Sequence, residues 1–539
     1  MAVTVKAKKK LSIKDFSKPS EQLAHVAPED LYPLPPPYDK LEEQPGFKKL
    51  SEEARKEYEA TLDDTMVVNV PKPKSKEEEE RLVKQFISGL EKLFSRENNW
   101  TFLQPLTLSM EHCARCQTCI NDCPIYEASG YNEIYRPTYR SEILRRLYFK
   151  YVKGGNKWWK KFNNGDIELN WTLISRLLEL SYRCTLCRRC AQSCPIGVDN
   201  GQISRDIRKL FSSEMGLAAK DLHEKGTILQ LEVGSSTGMN PLVVKDNCDF
   251  IDEDMEDRTG IKVKTVWDKE GADVLLIHNA GEFLAWPDNP GAFALILQEM
   301  GISWTLSSEI AGYDGVNYGL FYEDVQLARV AMKHYEIAKK LKVKKILMGE
   351  CGHLTKAMGV TGDRLTQAIP RENAMTFIEN VVFSGKLKLD PSRNDFPVTL
   401  HDPCNMVRSM GIVEPQRRVL RYIAPRFREM HPHGVRNYCC GGGSGWAIMT
   451  QNNFLDWRIQ VSGRKKFEQI LKAFVDENPG PETPKYLCAP CSNCKGQIRD
   501  LFDYYGAKKK SGLYYGGLIE LVVNAMTNVK ENFIDWELM

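Results

Sequence analysis

Residues 113–124 read Cys-Ala-Arg-Cys-Gln-Thr-Cys-Ile-Asn-Asp-Cys-Pro, and residues 184–195 read Cys-Thr-Leu-Cys-Arg-Arg-Cys-Ala-Gln-Ser-Cys-Pro. Both are C-x2-C-x2-C-x3-C-P. In each, three thiolates separated by two residues wrap one face of a cubane: Cys113, Cys116 and Cys119, then Cys184, Cys187 and Cys190. The fourth, Cys123 or Cys194, precedes a proline and turns away. Thiolates are soft, anionic ligands suited to iron–sulfur clusters. A structural zinc site needs only C-x2-C pairs, not two identical quartets ending in Cys-Pro. The repeat predicts two cubane 4Fe-4S clusters.

In two-cluster ferredoxins the fourth cysteine ligates the other cluster. That rule assigns Cys113, Cys116, Cys119 and Cys194 to one cluster, and Cys184, Cys187, Cys190 and Cys123 to the other. The 60 residues between Cys123 and Cys184 exceed a compact ferredoxin's turn. A helical ferredoxin-like domain over 101–230 is therefore expected, with helical material such as Trp171 to Leu180 between the quartets. Arg115, Arg136, Arg140, Arg183, Arg188 and Arg189 flank them, as solvated side chains, as offsets to cluster charge, or as a docking face for an acidic redox partner.

Composition bounds the rest. A chain of 539 residues holds about three domains. With 74 Lys+Arg against 71 Asp+Glu it lacks the basic bias of a dedicated nucleic-acid binder, so no nucleic acid is expected as partner. No uninterrupted apolar run reaches the ~18 residues that would span a bilayer, and Glu520 interrupts the most apolar stretch, Leu513 to Met526. No apolar segment follows the lysines of Met1 to Lys10, so a secretory signal is not expected. Of sixteen cysteines only Cys248 looks incidental, and tight local spacing in a large chain favours metal ligation over disulfides.

Residues 1–100 read as an extended arm: Lys6 to Lys10, the Pro33 to Pro37 run and Pro71-Lys-Pro-Lys lack periodicity. The arm is either a solvated linker or a strap laid over a partner subunit. It ends in a helix from about Ser75, with Leu82, Phe86, Leu90 and Phe94 spaced by fours. From about 265 strand-then-helix units follow: Val274 to His278, then an apolar helix Ala292 to Met300, with further strands at Lys345 to Met348 and Pro397 to Leu400. Alternating β and α elements imply an α/β region with mainly parallel pairing.

The remaining cysteines form a rarer pattern: His401-Asp-Pro-Cys404, Cys439-Cys440-Gly-Gly-Gly-Ser-Gly445 and Cys491-Ser-Asn-Cys494, with Cys488 just before. Adjacent cysteines suit an irregular cluster better than one iron of a cubane. Gly441, Gly442 and Gly443 let the backbone approach a metal without a Cβ. A set of buried cysteines or a dithiol site is the alternative.

This set resembles the CCG domain, C-x(n)-C-C-G-x(n)-C-x-x-C, of heterodisulfide reductase catalytic subunits. The resemblance implies one noncubane 4Fe-4S cluster, at which disulfides are cleaved or formed, held by Cys404, Cys439, Cys440, Cys491 and Cys494. Ile498, four residues after Cys494, favours Cys491/Cys494 over Cys488/Cys491. It also implies duplication: Leu276-Ile-His-Asn-Ala280 parallels Thr399-Leu-His-Asp-Pro-Cys404, and Gly349-Glu-Cys351-Gly-His353 parallels the terminal C-x-x-C region. The first half has no Cys-Cys pair, Ala311-Gly312 standing near its place, and Cys351 is left over: a structural thiol, an additional ligand, or a thiol facing substrate.

The expected fold class is thus a multidomain α+β and α/β chain, a helical ferredoxin-like domain with two 4Fe-4S clusters followed by a duplicated α/β CCG domain, with a degenerate first half over 265–390 and a cluster-binding half over 391–539. This order resembles the K-subunit family of DsrMKJOP membrane complexes of sulfur-metabolising organisms. Their archaeal relatives are described as heterodisulfide-reductase-like menaquinol-oxidising subunits. The resemblance implies quinol as donor through a membrane b-type cytochrome subunit, other subunits of a complex, and a disulfide or trisulfide on the small sulfur-carrier protein DsrC as substrate. It implies a cytoplasmic location, bound peripherally to the membrane through partners. Cleaving a disulfide takes two electrons, which iron–sulfur clusters supply singly, so two cubanes in series with an open cluster suit it. His353, His401 and Lys495 are the candidate proton donors. Two rivals are an electron-relay subunit of a flavin-dependent glycerol 3-phosphate, glycolate or lactate oxidase, and a wire whose third cluster serves docking. Lys157-Trp-Trp-Lys-Lys-Phe162 reads as an exposed loop or a patch against a membrane subunit.

Overall fold

The computed structural model describes residues 51–59, 62, 65–96, 103–154, 157–162, 166–365, 369–450, 454–537 and 539. The Lys6 to Lys10 and Pro33 to Pro37 stretches of the expected arm lie outside them.

Helix α1 (Lys76–Leu93) starts where the sequence places it. Ser75 accepts the N–H of Glu78, and Glu77, Glu78 and Glu79 sit in the first turn, where the helix dipole favours negative charge. Phe86 and Leu90 are fully buried. The helical domain continues with α2 (Pro137–Leu147), α3 (Trp171–Ser181) and α4 (Asn200–Met215), and α1 packs along α4 with the Phe86 and Phe211 rings 5.4 Å apart. Residues just upstream are no solvated linker. Val67 and Val70 are buried, the Glu179 carboxylate accepts the N–H of Val67 and Val68, and Arg183 donates to Thr65. This end of the arm is a strap on the chain's own helical domain. Lys157–Phe162 forms a short helix rather than a loop, with Trp158 and Phe162 exposed and their rings stacked 5.8 Å apart.

After α5 (Pro241–Thr259) come two four-stranded parallel sheets. The first holds β1 (Val274–Ile277), β2 (Trp304–Thr305), β3 (Lys345–Met348) and β4 (Arg371–Asn373) in the order β2-β1-β3-β4. In the second, β5 (Val398–Leu400), β6 (Phe427–Arg428), β7 (Lys485–Cys488) and β8 (Leu513–Gly516) repeat it as β6-β5-β7-β8. The register repeats too: Ile277 pairs with Met348 as Leu400 pairs with Cys488. Each pair of strand ends marks a point where strand order reverses, the place where open α/β sheets form a crevice.

The connecting helices repeat in the same sequence. Helices α6 (Asp288–Glu299), α7 (Asp324–Lys340), α8 (Gly352–Leu365) and α9 (Ala374–Phe383) serve the first sheet. Their counterparts around the second are α10 (Pro415–Ile423), α11 (Arg464–Ala473), α12 (Ser492–Tyr505) and α13 (Leu518–Ala525). The first crossover helix of each half packs on the last helix of the other, α6 on α13 and α10 on α9, while α8 meets its counterpart α12. That is the pattern of a two-fold dimer written into one chain. One core spans both halves, joining Leu276, Phe293 and Val381 to Leu400, Val419 and Leu521. The apolar stretch from Leu513 is β8 and α13, of which α13 is buried in that core. Among the described residues no helix is long and apolar enough to cross a membrane.

Candidate functional site

The two quartets interleave. Cys119 lies beside Cys113 and Cys194, and these line one cavity with Cys116. Cys123 lies instead beside Cys184 and Cys187, and Cys190 beside all three. Burial pushes the Cys119 thiol up to about 11 and the Cys123 thiol up to about 12, the cost of holding an anionic sulfur away from water without a metal. Exposure grades between the sets: Cys116 is exposed and Cys113 and Cys194 half-buried, whereas Cys184, Cys187 and Cys190 are buried. Arg115, Arg136, Arg145 and Arg146 line a cavity of about 220 Å³ beside Cys113.

The other arginines are not solvated. Arg183 pairs with Glu179 at 3.6 Å and lies over the Phe454 and Trp457 rings, Arg140 donates to Ser204, and Arg188 pairs with Asp199. Arg189 reaches the carbonyls of Asp122 and Arg436 and covers the Tyr438 ring at 4.4 Å. These side chains bolt the second quartet to its surroundings.

In the second sheet, β5 ends at Leu400 and its next turn delivers His401 and Cys404; β7 ends at Cys488 and its next turn delivers Cys491 at the start of α12, with Cys494 one turn in. The loop between β6 and α11 brings Cys439 and Cys440. All five meet: Cys439 faces Cys404 and Cys440, Cys440 faces Cys494, and Cys494 faces Cys491. Hydrogen bonds from Cys439, Cys494 and His401 hold the Cys440 thiol well below its usual range. Cys439 also faces Cys187 of the second quartet, so sulfur follows sulfur from one domain into the other. Cys488 is not in the chain of thiols; it is fully buried, and burial first, then the nearby Glu350 and Glu520 carboxyls, push it well up.

The three glycines work differently from the sequence expectation. A Cβ on Gly441 would stand 2.5 Å from the Gly463 backbone, on Gly442 2.6 Å from Gln497, and on Gly443 2.5 Å from the Thr185 carbonyl. They let the loop press against protein, and Gly443 in particular against the turn between Cys184 and Cys187. Gly441 also needs its φ of +95°.

An iron–sulfur group fits this donor set. The donors are thiols, with the His401 imidazole against Cys440 and Cys494, and backbone N–H groups point at the sulfurs: Gly441 at Cys439 Sγ and Gly442 at Cys440 Sγ, both 3.4 Å, and Val198 at Cys194 Sγ, 3.2 Å. Buried cations stand where thiolate charge would accumulate. Arg408 donates to the Cys187 carbonyl at 2.6 Å and Arg208 to the Cys184 carbonyl at 2.7 Å and Ser444 at 2.8 Å. Lys466 is held by Asn437, and burial pulls its ammonium down to about 7. Arg208, 24 residues past Cys184, and Lys466, 26 past Cys440, lie inside ordinary helices beyond the reach of any spacing rule; Arg408, four residues past Cys404, is the one that a spacing reading could have found.

Of the proton candidates, Lys495 is committed elsewhere, paired with Glu282 at 2.6 Å and Glu520 at 4.0 Å, all buried. His353 stands edge-on to Phe321 near Cys440, and burial pulls it down to about 4. His401 faces Cys440 and is likewise lowered by burial, then by Lys466. Both imidazoles are therefore neutral at pH 7, and His401 alone touches the thiol set.

Two family models match parts of the chain. Residues 109–198 match the family model of the 4Fe-4S dicluster domain, and residues 398–499 that of the cysteine-rich CCG domain, which together indicate iron–sulfur clusters. The chain is 28% identical to the Hdr-like menaquinol oxidoreductase iron-sulfur subunit 2 of Archaeoglobus fulgidus, over 78% of this chain and 80% of that one. It is 26% identical to a dihydromethanophenazine:CoB--CoM heterodisulfide reductase subunit of Methanosarcina acetivorans, over 73% and 89%. A probable membrane-anchored ferredoxin of Chromohalobacter salexigens is 24% identical over 59% of this chain and 45% of its own length.

Proposed function

We propose that this chain is the iron–sulfur catalytic subunit of a membrane-associated oxidoreductase of the heterodisulfide reductase kind, acting on a disulfide or trisulfide. Cys113, Cys116, Cys119 and Cys194 would hold one cubane 4Fe-4S cluster, Cys184, Cys187, Cys190 and Cys123 a second, and Cys404, Cys439, Cys440, Cys491 and Cys494 a noncubane 4Fe-4S cluster. The observation that carries the reading is the unbroken contact of thiols from Cys187 to Cys439 and on through the five cysteines. When bound, such groups supply one-electron transfer and an iron site that takes a sulfur ligand.

The residues order the flow. The half-exposed first quartet, with its basic cavity, is where an external donor reaches the chain; the buried second quartet passes inward; Arg408 and Lys466 balance the charge of the innermost thiols. His401, neutral and against Cys440, is placed to relay a proton to a departing thiolate, giving one from one ring nitrogen as it takes one at the other. The relatives' names support quinol as the ultimate donor. A DsrMKJOP-type complex, with a b-type cytochrome as membrane partner and DsrC as carrier of the substrate, is the specific form of the proposal.

Anaerobic EPR of the oxidised protein with an iron count tests it. About twelve irons, three clusters of four, and a paramagnetic signal that changes on adding thiols are expected. About eight irons without a thiol response would leave a two-cluster electron relay.

A further inference from the structure

The half without a Cys-Cys pair keeps one thiol, and its place is set by register. Since Ile277 pairs with Met348 and Leu400 with Cys488, the residues three beyond β3 and β7 correspond: Cys351 and Cys491. The turns match atom for atom. Cys351 N–H donates to the Gly349 carbonyl at 2.6 Å and Cys491 N–H to that of Ala489 at 2.7 Å; the Cys351 carbonyl then accepts from Thr355 and that of Cys491 from Lys495, opening α8 and α12.

These helices are the pair that meets its own counterpart across the pseudo-two-fold. Two equivalent residues at equivalent helix starts are therefore brought face to face. A Cβ on Gly352 would lie only 3.6 Å from Cys491 Sγ, and the Ser492 N–H donates across the halves to the Glu350 carbonyl at 3.0 Å. The Ser492 hydroxyl, buried and without an oxygen or nitrogen partner, is turned to Cys351 Sγ. The Leu354 N–H points at the same sulfur from 3.4 Å, as the Gly441 and Gly442 N–H groups point at theirs. In this Cys351 is built like Cys439 and Cys440, and unlike the two remaining cysteines. Cys248 lies in α5 among Asp252, Asp249 and Thr265, and Cys488 faces carboxyls.

We propose that Cys351 is a sixth cysteine ligand of the centre formed by Cys404, Cys439, Cys440, Cys491 and Cys494, supplied from across the pseudo-two-fold by the half that lost the rest. The inference rests on that centre being an iron–sulfur site. A metal held by both halves would give the facing Cys351 and Cys491 sulfurs a shared cation.

The test uses the full chain, loaded with iron anaerobically, with selenocysteine replacing Cys351 and, separately, Cys248. Selenium X-ray absorption fine structure is expected to show an iron neighbour at bonding distance for the first and only light atoms for the second. Light atoms alone at position 351 overturn the inference. As a second measurement, Cys351→Ser is expected to shift the midpoint potential and EPR line shape of the thiol-responsive signal while leaving the two quartet signals unchanged; an unchanged potential and line shape overturn it. Should that variant fail to fold, the selenium spectrum decides alone. Twelve irons with no iron beside selenium would refute Cys351 as a ligand and leave the proposed function standing. Eight irons in the unmodified protein would remove the centre itself.

Discussion

The two α/β halves share one strand order, one register and one sequence of helices, yet differ in what stands at the strand ends. Past β5 and β7 the chain presents Cys404, Cys491 and Cys494; past β1 and β3 it presents Gly281, Cys351 and Leu354. The scaffold is indifferent to the change because its energy lies in the aliphatic core between α6, α13, α9 and α10, which neither set of residues enters. What the first half supplies instead is carboxyl groups. Glu350 accepts the N–H groups of Leu518 and Ile519 at the start of α13, and Glu282 neutralises Lys495. The equivalent of Glu350 in the second half is Pro490, and of Lys495 in the first, Thr355. A thiol-rich half and an acid-rich half are complementary surfaces of one site.

The contrast breaks most completely at the Cys-Cys pair. Cys440→Ser is expected to lower the iron count from about twelve to about eight and abolish the thiol-responsive EPR signal, with the quartet signals retained; twelve irons in that variant would refute its place in the centre. Next is the buried ion network. Lys495→Met strands three buried carboxyls and is expected to cost about 3–5 kcal/mol in chemical denaturation. Thr355→Val at the matching position, which removes the Asn373 amide's 2.6 Å bond and the hydroxyl's 3.0 Å bond to the Cys351 carbonyl, costs about 1–3 kcal/mol. Equal losses would show that the halves do not differ in charge.

Gly443→Ala drives a Cβ against the Thr185 carbonyl. We expect about 1–3 kcal/mol of destabilisation and slower electron passage from the quartets to the innermost centre in rapid-freeze EPR; an unchanged rate would mean that this packing does not set the approach. The last contrast is one of pH. Burial, with Glu520 beside it, raises Glu350 from 4.5 to about 8. Below 4.5 both folded and unfolded chains carry its proton and the contribution is complete; between 4.5 and 8 only the folded chain does, so stability falls as pH rises. The slope is at most about 1.4 kcal/mol per pH unit, and Glu350→Gln should flatten it in melting curves between pH 5 and 8.

Much of this was legible in the chain. Lys345 to Met348 is a strand as read, Trp171 to Leu180 a helix to within one residue, and the histidine-bearing parallel between 276–280 and 399–404 holds in the register. Strands β2 and β6 escaped because two residues carry no period. The glycine triplet stands out in the sequence but its neighbour does not: which backbone presses on it depends on Thr185, in another domain. Glu282, Glu350 and Lys495 look like solvated charges in sequence, and only the meeting of two halves buries them together. The strap at 65–70 shows no amphipathic pattern because its backbone, not its side chains, makes the bonds to Glu179.

The bonds that finish the second quartet come from far along the chain: Arg408, 221 residues after Cys187, holds that cysteine's carbonyl, and Ser444 holds Cys184's. At ~5–20 residues per second of synthesis, this distance is on the order of 10–40 s. During that interval the nascent polypeptide carries Cys184 and Cys187 without their covering, open to oxygen. The site at 113–119 meets its last partner, Cys194, far sooner. Expression in air should therefore strip the inner clusters together and spare the outer one, and slower elongation should widen the difference.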